Sequence, residues 1–199
     1  MRQIILASIS PRRKKLLDEI NLQYIVDPSD YEEINDKKRS PRDLVLRHSF
    51  AKVLDVSKRY KKGDIIIGAD TIVLLDDEIL GKPCSEEEAF QMLRKLSGKS
   101  HKVITGIAVK EVGGATLLDT VMSEVHFRQI SDDEIREYIA TGEPIDKAGA
   151  YAVQGIGEKF IERVDGCYHN VVGLPILRLV KMLSNFIDTS LLNVQCNCE

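Results

Sequence analysis

Asp70 interrupts an apolar run. Residues 64–84 read Asp-Ile-Ile-Ile-Gly-Ala-Asp-Thr-Ile-Val-Leu-Leu-Asp-Asp-Glu-Ile-Leu-Gly-Lys-Pro-Cys. The segments 65–67 and 72–75, rich in β-branched residues, predict a strand buried on both faces. A carboxylate in such a strand is costly unless it is paired or ligates a metal. Gly68, two residues earlier, marks the close approach of a ligand or of another backbone. Asp76-Asp77 supply a turn and Leu80-Gly81-Lys82-Pro83 returns the chain, so one hairpin can gather an acid (Asp70), a hydroxyl (Thr71) and a lysine (Lys82). On this stretch alone, Asp70 as the cap of a neighbouring loop is an equally open reading.

A second constellation lies at Ser8-Ile-Ser-Pro-Arg-Arg13. A short strand ends, a polar loop follows, and Ser10-Pro11 opens a helix. Its first turn offers free amides and a positive dipole end, which suits an anion. Arg12 and Arg13 in that turn oppose the dipole, and a bound phosphate would offset the cost through guanidinium pairing. The alternative is a solvated basic face that continues into Lys14 and Lys15. Together, Arg12, Arg13, Lys52 and Lys82 are candidate phosphate cations, and Glu33 and Asp70 candidate acids. Phosphoryl chemistry needs this mixture, with cations to hold charge and carboxylates to hold a divalent metal or activate water. No Walker loop and no G-x-G-x-x-G occurs, which argues against a kinase or a dinucleotide enzyme.

The elements that must position these residues follow from periodicity and caps. Strands are predicted at 3–7 and 24–26, and helices from Ser10-Pro11 to Ile20 and from Ser40-Pro41 to Tyr60, around a charged loop at 27–40. Ser85-Glu-Glu-Glu opens a helix that Gly98 ends, and strands at 102–112 and 115–130 join at Gly113-Gly114. Ser131-Asp-Asp-Glu134 caps a helix closed by Thr141-Gly142. Residues 148–173 read as strands and tight loops, Pro175 starts a last helix to Phe186, and the tail lacks a pattern. The class is α/β with a mixed sheet.

The chain has 199 residues and a formal net charge of −3, with both signs interspersed. It is long enough for one domain of one or two lobes, and the charge gives no reason to expect nucleic acid or an anionic membrane as partner. No apolar run approaches the roughly 20 residues of a spanning helix. The apolar N-terminal stretch is too short for a signal peptide, so a cytoplasmic protein is expected. Cys84, Cys167 and the Cys196/Cys198 pair lack structural-zinc spacing, and reduced thiols are expected.

Leu6-Ala-Ser8-x-Ser10-Pro-Arg-Arg13, Gly68-Ala-Asp-Thr71, Leu80-Gly-Lys-Pro83, Ser97-Gly-x-x-His101, Gly142-Glu-Pro-x-Asp-Lys-Ala-Gly-Ala-Tyr151, Gln154-Gly155 and Val172-Gly-Leu-Pro175 occur in this order over residues 3–186. The ordered set resembles the Maf family of nucleoside triphosphate pyrophosphatases. The resemblance implies a mixed, elongated central sheet flanked by helices, similar to inosine triphosphate pyrophosphatases, with a cleft between two lobes of one catalytic domain at 1–188 and a tail at 189–199. It implies a homodimer and hydrolysis of a nucleoside triphosphate to the monophosphate and pyrophosphate, dependent on Mg²⁺ or Mn²⁺.

By the same resemblance, Asp70 is the catalytic carboxylate and proton acceptor, either as the base or as a metal ligand that orients the water, and Glu33 and Asp70 hold metal. Arg12, Thr71 and Gln154 bear on substrate choice, and Ser8, Arg13, Lys52 and Lys82 complete the cleft. The Asp146–Tyr151 and Gln154-Gly155 pieces resemble the branch acting on dTTP and UTP. The alternatives are hydrolysis of a modified purine triphosphate such as 7-methyl-GTP, or a nucleotide-binding regulator of cell division without catalysis. One departure from the family pattern precedes Lys52, where Leu-Ala is usual and this chain has His48-Ser49.

Overall fold

The structure, a computed structural model, describes residues 2–34 and 39–194. The elements in order are β1 (Ile4–Leu6), α1 (Pro11–Glu19), β2 (Ile25–Val26), α2 (Pro41–Ser57), β3 (Ile65–Leu75), β4 (Glu78–Leu80), α3 (Glu86–Leu96), β5 (Ser100–Glu111), β6 (Thr116–Phe127), α4 (Asp132–Ala140), β7 (Ile161–Asp165), α5 (Tyr168–Val172) and α6 (Ile176–Leu183). The serine caps act as their positions predict. Ser10, Ser40, Ser85 and Ser131 each accept a first-turn amide, and Ser131 with Glu134 closes a capping box.

One seven-stranded mixed sheet carries the fold, in the order β2-β1-β3-β5-β6-β7 with β4 on β3. β1 runs parallel to β2 and β3, and every other pairing is antiparallel. The central strand β3 is uninterrupted, and β5 pairs with it from Ile65 to Leu74. Its other edge is shared. Ile65 to Ile67 pair with β1 and Val73 to Leu75 with β4. Between them, Gly68 to Ile72 have no strand partner on that side among the described residues, so the sheet opens there.

Helix α2 lies across β3 and β5, and two glycines admit it. A Cβ at Gly68 would come within 2.7 Å of the Ser49 carbonyl oxygen, and one at Gly106 within 2.4 Å of that of Val45. The close neighbour that Gly68 signals is therefore the backbone of α2.

The core divides at the same level on both faces. On one face Ile65, Ile67, Ala69, Ile107 and Val109 pack with α1 and α6, while Val73, Leu75 and Val103 pack with α3 and α4. Thr71 and Thr105 sit between these two clusters. On the α2 face, Ile66 and Ala108 belong to one cluster and Ile72 and Ile104 to another, with Asp70 between. A polar belt thus crosses the sheet where the edge of β3 is open.

Several boundaries differ from expectation. α2 ends at Ser57 rather than Tyr60, and Pro175 caps α6, which ends at Leu183 rather than Phe186. The 24–26 strand shrinks to two exposed residues. The β5–β6 hairpin begins earlier and ends sooner than 102–130. Residues 148–173 hold only the strand β7, with 3-10 turns and the short α5 elsewhere. Left-handed backbone at Gly149 and Gly155 breaks any ladder there. In the tail, the Asn193 amide bonds the Ile20 carbonyl at 3.2 Å, and Leu192 and Val194 pack on the α1–α6 side. Cys196 and Cys198 lie outside the described residues, while Cys84 is an exposed free thiol and Cys167 is buried.

Candidate active site

Asp70 leaves β3 on the α2 face and is buried. One turn of α2 brings His48 and Lys52 to the same side. Asp70 divides its oxygens between them, with Oδ1 2.9 Å from Lys52 Nζ and Oδ2 3.1 Å from His48 Nδ1. Lys52 also donates to the Ala69 carbonyl at 3.2 Å, a group on the open edge of β3, and pairs with Glu33 Oε1 at 2.6 Å. The other His48 nitrogen, Nε2, lies 3.2 Å from the Ile34 carbonyl oxygen. Burial alone would raise the Asp70 pKa, but the His48 hydrogen bond and the Lys52 charge together hold it well below the usual carboxylate range. Asp70 is therefore ionised across the physiological range. Its hydrogen bond raises the His48 pKa despite burial.

Thr71 leaves β3 on the opposite face and meets Arg13 from α1. Arg13 Nε donates to the Gly173 carbonyl at 2.9 Å, Nη1 to Ser8 Oγ at 3.3 Å and Nη2 to Thr71 Oγ1 at 3.2 Å. Thr105 donates to the Asn170 carbonyl at 3.2 Å, so Thr71 is the donor in the 2.9 Å Thr71–Thr105 hydroxyl pair. A directed chain from Arg13 through both threonines results. Burial lowers the Arg13 pKa, and the carboxylates of Asp70 and Glu33 counter it. The two faces thus sense each other across the opening.

Lys82 follows β4, whose last residue Leu80 pairs with Val73, so it leaves the sheet at the open edge. It is exposed and makes no ion pair with a described residue. The wall behind it is tied to this point, because the Gly149 amide bonds the Gly81 carbonyl at 3.0 Å. Burial raises the Asp146 pKa, but its pairing with Lys147 and then the Arg12 charge lower it, so Arg12 faces that wall. Gln154 is half-buried, with its side chain at the Tyr168 hydroxyl, and is not in contact with Asp70. Ser8, Arg13 and Thr71 are thus joined on one face and Glu33, Lys52 and Asp70 on the other, while Arg12, Lys82 and Gln154 share no hydrogen bond or ion pair with them among the described residues.

His48 and Thr105 are parts of the constellation that the sequence reading did not select. The signal for His48 was its spacing, four residues before Lys52 on one helix face. Glu33, His48 and Asp70 offer ligand atoms that all lie within 4.8 Å of one another. Two carboxylates and one imidazole, partly open through the exposed Glu33, suit a divalent cation.

A model of the Maf-like protein family matches residues 3–186. The dTTP/UTP pyrophosphatase of Ruminiclostridium cellulolyticum is 48% identical over 185 residues, covering 92% of this chain and 95% of its own. That of Dictyoglomus turgidum is 46% identical over 187 residues, covering 93% and 96%. Among solved structures, the Staphylococcus aureus Ham1 protein aligns over 80% of each chain at 16% identity with a TM-score of 0.47.

Proposed function

The chain belongs to the Maf family, and from that premise we propose that it is a nucleoside triphosphate pyrophosphatase, hydrolysing dTTP and UTP to the monophosphate and pyrophosphate. The observation that carries the reading is the ionised Asp70, buried on the open edge of the sheet with Lys52, Glu33 and Arg13 around it. Water attacks the α-phosphorus, its oxygen bonds to phosphorus, and the bond to the bridging oxygen breaks, releasing pyrophosphate. Asp70 orients that water. With its low pKa it is a weak base for free water, and proton transfer to it becomes favourable only as the oxygen–phosphorus bond forms and the attacking group acidifies.

Arg13, Lys52 and Lys82 take up charge on the phosphates, and Ser8 with the first amides of α1 holds an oxygen. A divalent ion, Mg²⁺ or Mn²⁺, when bound neutralises phosphate charge, and Glu33 and Asp70 would hold it. Arg12, Thr71 and Gln154 set substrate choice. An amide offers a donor and an acceptor to the edge of uracil or thymine, and a base lacking the matching groups leaves them unpaired.

The division of the core at the polar belt supports one catalytic domain of two lobes, residues 1–188, followed by a short tail. The family resemblance supports a cytoplasmic homodimer, and light scattering would test the dimer. No helix among the described residues is long and apolar enough to cross a membrane. The activity is tested by pyrophosphate release over UTP, dTTP, CTP, ATP, GTP and 7-methyl-GTP. Highest kcat/KM on UTP and dTTP supports the reading, and turnover confined to 7-methyl-GTP overturns the substrate assignment.

A further inference from the structure

We propose that Glu143 is a positioning residue for Gln154, a carboxylate that holds the turn from which the Gln154 amide meets the pyrimidine edge. The proposal rests on the reading of Gln154 as the group that meets the base. Glu143 belongs to the sequence piece Gly142-Glu-Pro, which the phosphoryl chemistry leaves unused. It is half-buried, and its carboxylate is met by three uncharged donors. Oε1 accepts the Tyr138 hydroxyl at 2.8 Å and the Gly157 amide at 3.1 Å, and Oε2 accepts the Ile156 amide at 3.1 Å. Burial alone would raise its pKa, but these bonds and the Lys147 charge lower it, so the group is ionised.

Both amides belong to the turn that follows Gln154 through Gly155. The Gly155 φ is +111°, and a Cβ there would lie 2.6 Å from Glu143 Oε2. A glycine at this point lets the chain close onto the carboxylate. The other end of the segment is held by the same unit, because the Tyr138 hydroxyl that donates to Glu143 accepts the Ala152 amide at 3.2 Å. Gln154 thus lies between two anchored points, Ala152 and Ile156, and both are fixed through Glu143 and its tyrosine. A neutral amide at position 143 cannot replace the carboxylate. It offers one oxygen, and its NH₂ would face an N–H or O–H of this donor set. One of the three donors would be left unpaired, and the turn carrying Gln154 would relax to satisfy it.

The test measures kcat/KM for UTP and GTP in competition, in wild type, Glu143→Gln, Gln154→Ala and the double variant, with folding followed by circular dichroism. Glu143→Gln should lower the UTP-to-GTP ratio roughly tenfold, the worth of one base contact. In the Gln154→Ala background it should lower the ratio no further, because a residue that acts through another loses its effect once that other is gone. A purely structural role would slow both nucleotides alike and keep the wild-type ratio. Tyr138→Phe removes a donor from Glu143 and the acceptor from the Ala152 amide. It enters the same cycle with the same expectation and decides the matter should Glu143→Gln not fold. A wild-type ratio in the Glu143 variant beside a lowered one in Gln154→Ala overturns the proposal alone. So does an equal loss from Glu143→Gln in both backgrounds. A wild-type ratio in Gln154→Ala overturns the reading of Gln154 and the proposal with it.

Discussion

Asp70 and Thr71 are adjacent on one uninterrupted strand and leave it on opposite faces, yet both border the same opening. Alternation along a strand forbids them a shared face. The sharing comes from the edge, because β1 stops pairing at Ile67 and β4 begins at Val73. A ligand in that gap reaches the carboxylate from one side of the sheet and the Thr71–Arg13 pair from the other. The geometry needs no bulge, only two neighbouring strands that end short of each other.

Asp70→Asn is expected to lower kcat on UTP by on the order of 10² to 10⁴ while the protein still folds. Lys52 keeps its pairing with Glu33 in the variant. Pyrophosphate release beside circular dichroism measures both halves. Near-normal kcat in folded variant would remove Asp70 from the chemistry.

Arg13 and Lys82 should separate stability from binding. Arg13→Ala strips donors from Gly173, Ser8 and Thr71 and should cost about 1–3 kcal/mol of stability as well as activity. Lys82 is exposed without an ion pair to a described residue. Lys82→Ala should therefore stay within about 0.5 kcal/mol of wild type and raise KM for the triphosphate. Urea unfolding and steady-state kinetics check both, and equal stability losses would contradict the distinction.

Much of this was legible in the sequence. The Ser caps and the apolar run of β3 pointed to the right elements, and the cost of a carboxylate within that run foretold that Asp70 is paired. What Gly68 admits was not legible, because ligand and backbone leave the same mark on a sequence. Nor was the open edge, which depends on the register of β1 and β4 against β3, a long-range property. Sequence alternation put Asp70 and Thr71 on separate faces but could not say whether one site served both. His48 was visible by spacing yet unweighed, since a histidine on a buried helix face reads most simply as core.

His101 predicts a pH dependence of stability. It is buried, with Nε2 2.7 Å from the Tyr151 hydroxyl, and burial, then the His126 charge, lowers its pKa from 6.5 to about 4. The unfolded chain thus binds a proton that the folded one refuses between those values. Stability from this group is full above about pH 6.5 and is lost as pH falls towards 4. The loss amounts to about 3 kcal/mol if fully realised. The difference in unfolding free energy between wild type and His101→Gln, followed from pH 7 to 4, should shrink by that order. A constant difference would exclude His101 as the titrating group.

Gln154→Ala should weaken discrimination between UTP and GTP by roughly tenfold to a hundredfold, the worth of one or two base contacts. Tyr168, which meets the Gln154 side chain, should give a smaller loss as Tyr168→Phe because the amide remains. Competition between the two nucleotides in one reaction reads the ratio of kcat/KM directly. A wild-type ratio in Gln154→Ala would take the base-reading role from it.

The most direct measurement of the central claim is phosphorus NMR of UTP turnover in oxygen-18 water. Attack at the α-phosphorus predicts UMP and pyrophosphate as products, with the label on UMP alone. Label in the pyrophosphate, or UDP and inorganic phosphate as products, would contradict the account.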